Sequence, residues 1–303
     1  MAAPESRPAI IAALIGNGLI AVTKGIAAAI TGSSAMLSEA VHSLVDCGNE
    51  VLLLYGQHRS SRPADEVHPF GYGRELYFWC FVVALMIFAL GAGISIYEGV
   101  IHIRHPEAIT KPYINFIVLG LAFVFEGVSW FVAWRGFQRV RRDGSIWHVV
   151  RASKDPTMFM VLFEDTAALI GIVIAAIGTA LAVKYDAPWI DGTASILIGL
   201  VLAAVAIVLA RESKNLLIGE RADPVLQKAI RDAADREHCV RSVGRVLTTH
   251  MAPDQVIATM DVEFDDSLTI PDVEKLIGRI EGGLRDRHPE LSRVFIRPEP
   301  RRA

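Results

Sequence analysis

The chain has 303 residues, of which 52% are hydrophobic and 21% charged, with a mean hydropathy of +0.39 and a formal net charge of −3. That is too apolar for an ordinary soluble protein, so the charged residues must be gathered in one part of the chain. A pI near 6.3 argues against a nucleic-acid partner, and three scattered cysteines, Cys47, Cys80 and Cys239, imply no disulfide framework.

The charges gather after residue 210. Before it, stretches of the ~20 apolar residues needed to cross a bilayer recur. Six spans are predicted, over residues 9–30, 35–57, 76–101, 113–136, 156–183 and 190–209. The opening MAAPESRP lacks the charged stretch and cleavage site of a signal peptide, so the first span is expected to be retained.

The second span is interrupted by His42 and Asp46, four residues apart, which a helix stacks on one face as half of a divalent-metal site. Glu39 lies one turn before them and Glu50 one turn after, extending a polar stripe that can line a water-filled path, although an interfacial position suits Glu39 better. The loop to the third span carries Arg59, Arg62 and Arg74. Glu98 and Glu126, in the third and fourth spans, must face protein, be protonated or pair with a base, since an ionised carboxylate facing lipid is costly. The loop to the fifth span holds Arg135, Arg139, Arg141, Arg142, Arg151 and Lys154, whereas the opposite loops offer only Arg104, Lys111 and Lys184. By the positive-inside rule both termini face the cytoplasm.

The fifth span is interrupted by Glu164 and Asp165, the best donors for the remainder of a roughly four-ligand site. Asn17 in the first span lies at a similar depth and can orient a ligand or hold a water. Neutral imidazole and ionised carboxylates bind metal, so loading displaces protons and protonation releases metal. An imidazole with an ordinary pKa of about 6.5 makes that exchange near neutral pH.

From 213 to 303 the sequence reads as a small cytoplasmic α/β domain. Asp223 caps a helix with Pro224 at its first position and Val225, Leu226, Ala229, Ile230 and Ala233 at helical spacing. Strand signals cover residues 240–248, and residues 256–264 alternate apolar with polar. Thr269 and Asp272 resemble a capping box, Val273, Leu276, Ile277, Ile280 and Leu284 form a stripe, and residues 291–296 give a last strand. The αββαβ order is ferredoxin-like, and so small a core favours pairing with a second copy.

The run SSAMLSEAVHSLVDCGNE (Ser33 to Glu50) and the loop RPADEVHPFGYGRELY (Arg62 to Tyr77) resemble signature stretches of the cation diffusion facilitators, a likeness that covers nearly the whole chain. LFEDTAAL (Leu162 to Leu169) is similar to the branch that contains a mitochondrial zinc transporter. The resemblance implies a homodimeric, secondary active exporter of divalent metal, typically zinc for protons, with no cofactor other than the transported ion. An inner (cytoplasmic) bacterial membrane is the expected location. It carries the transport site to His42, Asp46 and Asp165. Where many members have His or Asp, this chain has Val161, so either Glu164 substitutes or three protein ligands and a water complete the sphere. Asp65 and His68 match a secondary metal site whose further His is here Tyr72. In the tail Arg297 stands where a ligand is expected, and His238, Cys239 and His250 match no zinc spacing, so the tail is expected to dimerise without metal. Mixed N/O ligation suits Zn, Co, Fe or Ni, and an oxygen-only site Mn. No phosphate-binding loop and no paired His flanking Glu appears, which argues against an ATPase or an intramembrane metallohydrolase. A non-transporting metal sensor or scaffold is the alternative.

Overall fold

The computed structural model describes residues 6–107, 109, 111–140 and 154–299. The opening five residues and Arg141, Arg142 and Arg151 of the predicted basic loop lie outside them. The described chain forms two compact units, one of long helices and one combining the tail from Asn215 with residues 62–74 and 154–155.

The helical unit comprises α1 (Ser6–Thr31), α2 (Ser34–Ser60), α3 (Glu75–Met86), α4 (Gly93–Arg104), α5 (Pro112–Val140), α6 (Pro156–Lys184) and α7 (Trp189–Ile218). α3 runs into α4 through a π-helical stretch, Ile87–Ala92, so the two make one rod. Among the described residues four stretches are long and apolar enough to cross a bilayer: Glu75–Arg104, Pro112–Arg135, Phe159–Lys184 and Trp189–Ile218. α1 is apolar over Asn17–Thr31, and α2 pays for its polar stripe in hydropathy.

The exteriors of these helices are apolar, as a lipid solvent requires: Leu19, Val22 and Ile26 on α1, and Leu121, Phe125, Val128 and Val132 on α5, are exposed. Their contacts use small residues, among them Ala27, Ala35, Ala167, Ala168, Ala175 and Ala194, all nearly fully buried. In lipid, close backbone approach supplies the packing that water supplies elsewhere. Gly99 and Gly192 mark the tightest approach, because a Cβ on either would press into the other's carbonyl oxygen.

The start of α2 is anchored by chemistry that no local pattern reveals. Ser33 caps the helix by accepting from Met36 N at 3.1 Å. Asp191, in the first turn of α7 and fully buried, accepts from Ser33 Oγ at 2.9 Å and from Ala35 N at 3.0 Å. A carboxylate at a helix N-terminus meets both the unpaired amides and the positive end of the dipole. This fixes the outset of the helix that carries His42.

The second unit has α8 (Pro224–Asp235), β1 (Val240–Ala252), β2 (Gln255–Phe264), α9 (Ile270–Arg287) and β3 (Leu291–Pro298). β2 is central, antiparallel to β1 and parallel to β3. Both predicted caps form: Asp223 Oδ1 accepts from Val225 N at 2.7 Å, and Thr269 with Asp272 closes a capping box. Leu226, Ile230 and Ala234 of α8 and Leu276, Ile280 and Leu284 of α9 pack on Val256, Ala258, Met260 and Val262 of β2. Each large side chain so buried contributes ~1.5–3 kcal/mol. The predicted α8 stripe needs correction at its ends. Val225 is 77% exposed, since the stripe runs at i, i+4, i+8 through Leu226, Ile230 and Ala234, and Ala233 only flanks it.

Candidate metal centre

α2 sets Glu39, His42, Asp46 and Glu50 along one side of the helix, as their spacing requires. The His42 side chain is 1% exposed and Asp46 13%, with His42 Nδ1 3.4 Å from Asp46 Oδ1. Neither ring nitrogen of His42 has a hydrogen-bond partner, nor does Asp46 Oδ1, although all three atoms are buried. Three buried, unsatisfied donor and acceptor atoms at one place are costly unless something binds there.

The adjacent acids of α6 part company. Glu164 is buried and its Oε1 accepts from Asn49 Nδ2 of α2 at 2.7 Å, whereas Asp165 turns to α5 and accepts from Ser129 Oγ at 2.9 Å. The ~100° between consecutive helical residues produces this division. Asp46 lies within coulombic reach of Glu164, Glu126 and Asp165. The structure therefore brings His42 and Asp46 together and holds Glu164 against α2 through Asn49, while Asp165 is turned to α5. No group of three or more His, Cys, Asp or Glu side chains gathers at metal-binding distance among the described residues. Asn17 Nδ2 donates to Glu50 Oε1 at 2.9 Å, joining the two candidates for a pathway role in one contact between α1 and α2.

One sequence expectation changes. Glu39 is fully buried rather than interfacial, because Lys24 Nζ of α1 lies 3.1 Å from its Oε2. Lys24 was not foreseen. The signal was a lone Lys two turns after Asn17 in an otherwise apolar run, on the same helix face. Glu126 is buried too, in line with the cost of facing lipid.

The loop 62–74 brings Asp65 and His68 together, with His68 Nδ1 3.6 Å from Asp65 Oδ1. The carboxylate is otherwise engaged, accepting from Tyr72 Oη at 2.6 Å and from His68 N at 2.6 Å. These bonds, Tyr72's foremost, hold the Asp65 carboxyl below the usual carboxylate range. Tyr72 thus occupies the acid it cannot help to make a metal site, since a phenol stays protonated near neutral pH. Tyr72→His is expected to free Asp65, add an imidazole and tighten zinc binding by the loop at least about tenfold, ~1.4 kcal/mol. Competition with a chromogenic chelator on an Asp46→Ala background measures it, and unchanged affinity refutes it.

In the tail, Arg297 Nε donates to Asp261 Oδ1 at 3.0 Å across the β2–β3 pair, so the residue in the expected ligand position is an ion-pair partner. His250, whose pKa is lowered by burial, sits at the far end of β1 from Cys239 and His238, and the three do not meet.

A bundle of apolar helices enclosing buried carboxylates and an unsatisfied imidazole, followed by a small helix-and-strand domain, defines an integral membrane protein built to handle a cation. Residues 10–218 match the cation efflux transmembrane domain family and residues 222–301 the cation efflux protein, cytoplasmic domain. The chain is 33% identical over 258 residues to the proton-coupled zinc antiporter SLC30A9, mitochondrial, of Xenopus laevis, covering 84% of this chain and 46% of that protein. It is 29% identical to metal tolerance protein C4 of Arabidopsis thaliana (83% and 55%) and 24% identical to magnetosome protein MamM of Paramagnetospirillum magneticum (95% and 86%). The chain spans about half the length of the zinc-antiporter relatives it matches. It belongs to the cation diffusion facilitator family of membrane metal transporters.

Proposed function

We propose that this chain exports a divalent metal ion from the cytoplasm, zinc foremost, in exchange for protons. The observation that carries this reading is the buried His42–Asp46 pair, whose nitrogens and Oδ1 have no partner. His42, Asp46 and Asp165 bind the ion, and the fourth place is taken by Glu164 or by water. Asn17 and Glu50 border the approach from the cytoplasm, and Asp65 with His68 forms a weaker secondary site. The relatives named as proton-coupled zinc antiporters support the choice of ion and of counter-ion.

Six spans carry the transport domain, residues 1–212, in a cytoplasmic membrane with both termini inside. Residues 213–303 form a ferredoxin-like domain that holds two copies together without binding metal. Movement is alternating access about a site deep in the membrane, with α6 shifting against α2 and so altering the coordination. The same groups carry metal outward and protons inward, because each ligand binds the ion only when deprotonated.

Calorimetry of zinc binding to the detergent-solubilised protein in buffers of different ionisation enthalpy tests the coupling. At least one proton released per ion is expected near neutral pH, with the release lost in Asp46→Ala; binding without proton release would refute antiport. Deleting the tail from Asn215 is expected to lower the dimer fraction in light scattering while leaving the order of metal preference unchanged. A tight stoichiometric zinc site in the isolated tail would contradict its assigned role.

A non-transporting sensor is the second reading. It is favoured by Val161, Tyr72 and Arg297, none of which supplies the ligand common at its position. Metal flux distinguishes it from a transporter.

A further inference from the structure

Lys24 is the one charged residue of α1 after Arg7, and it is fully buried. Its ammonium lies 3.1 Å from Glu39 Oε2 and donates to Ser43 Oγ at 2.8 Å, both on α2. The other carboxylate oxygen, Glu39 Oε1, is buried without a partner. It rests against α6 at Gly171, where any Cβ would collide with it. One ammonium and one carboxylate thus tie together α1, α2 and α6, the last two being the helices that carry the metal-site residues.

The position of this contact follows from connectivity. α7 leads into the cytoplasmic domain, so Asp191 in its first turn marks the outer end of the bundle. Ser33 and Ala35, bonded to Asp191, place the start of α2 at that same end. Along α2 from outside to inside come Glu39, His42 with Ser43, Asp46 and then Glu50. The Lys24–Glu39 pair therefore lies about one helical turn outside His42, and the Asn17–Glu50 contact about one turn inside Asp46. The two sides differ in kind: a buried ion pair outside, and neutral amides on carboxylates, Asn17–Glu50 and Asn49–Glu164, inside.

A buried ion pair adds little net stability over an apolar pair of similar volume, so packing alone does not explain a Lys in the middle of α1. Resting on the proposed export function, we propose that Lys24 is a positioning residue: seated on Glu39 and Ser43 it closes the outer side of the transport path, and outward release requires that it leave. The physical coupling is like-charge repulsion. Where one divalent ion exchanges for one proton, the loaded site at His42 and Asp46 is one charge more positive than the protonated site, and so favours departure of the ammonium about one turn away. The lock so described is weakened by metal and restored when metal has gone.

The test uses full-length protein in liposomes, with Cys47, Cys80 and Cys239 replaced and Ile20→Cys, buried one turn inside Lys24 on the same face of α1, as reporter, labelled by a membrane-impermeant maleimide from the outer face. Slow labelling is expected with the pair intact, faster labelling when zinc is added, and labelling about tenfold faster or more after Glu39→Gln or Lys24→Met. The reciprocal exchange Lys24→Glu with Glu39→Lys is expected to restore slow labelling. Equal labelling rates with and without the pair, or an exchange no slower than either single change, would overturn the proposal. Labelling needs no metal flux, so a protein that moves no metal yet shows gated labelling overturns the export reading and leaves the closure standing. Flux with ungated labelling does the reverse.

Discussion

Asp46→Ala and His42→Ala should each reduce metal flux in sealed vesicles at least about a hundredfold, equivalent to ~2.7 kcal/mol of lost binding. Each removes a donor from a place where no protein group is ready to replace it, since the His42 nitrogens and Asp46 Oδ1 have no other partner. His42 is buried, so its truncation to Ala also opens a cavity. His42→Gln, which keeps most of the volume, separates the two effects and should lose flux as severely while retaining normal expression and dimerisation. Near-normal transport by Asp46→Ala or His42→Gln would remove the site from α2.

Glu164→Gln should weaken metal affinity about tenfold and shift the pH profile of transport. Val161 cannot coordinate, and Asp165 already serves Ser129 on α5, so Glu164 is the α6 acid directed at α2 through Asn49. The Gln side chain keeps the shape and the contact with Asn49 but has no proton to exchange and no charge to offer the ion. Val161→His, which adds a ligand one turn earlier on α6, should recover part of the lost affinity in Glu164→Gln. If Glu164→Gln transports with unchanged affinity and pH profile, Glu164 is structural and water completes the sphere around His42, Asp46 and Asp165.

Features encoded by neighbours in sequence were legible from the sequence. Asp223 with Pro224, and Thr269 with Asp272, are local capping chemistry, and the helices begin where those residues place them. The β2 alternation put Val256, Ala258, Met260 and Val262 in the core because strand geometry has a period of two. The π-helical stretch Ile87–Ala92 had no such local signal and read as ordinary helix. Partnerships between distant residues were hidden for a different reason. Asp191 and Ser33 are 158 positions apart, and Glu164 and Asn49 are 115 apart, so only packing decides that they meet. Lys24 made Glu39 affordable in the bundle interior, and without that partner an acid near a span end reads as interfacial. The α2 pair of the candidate centre was readable from its i, i+4 spacing, but the division of Glu164 towards α2 and Asp165 towards α5 depends on how α6 is rotated, which composition does not reveal.

The central claim is that His42 and Asp46 hold a metal ion in transit and exchange it for protons. The most direct measurement uses purified protein in liposomes containing a metal-sensitive dye, with zinc, cobalt, iron, nickel and manganese presented in turn under an imposed pH gradient. Zinc entry that accelerates with the gradient, collapses when it is dissipated and is absent in Asp46→Ala is the predicted result. Zinc binding without gradient-dependent entry in the wild-type protein would contradict it.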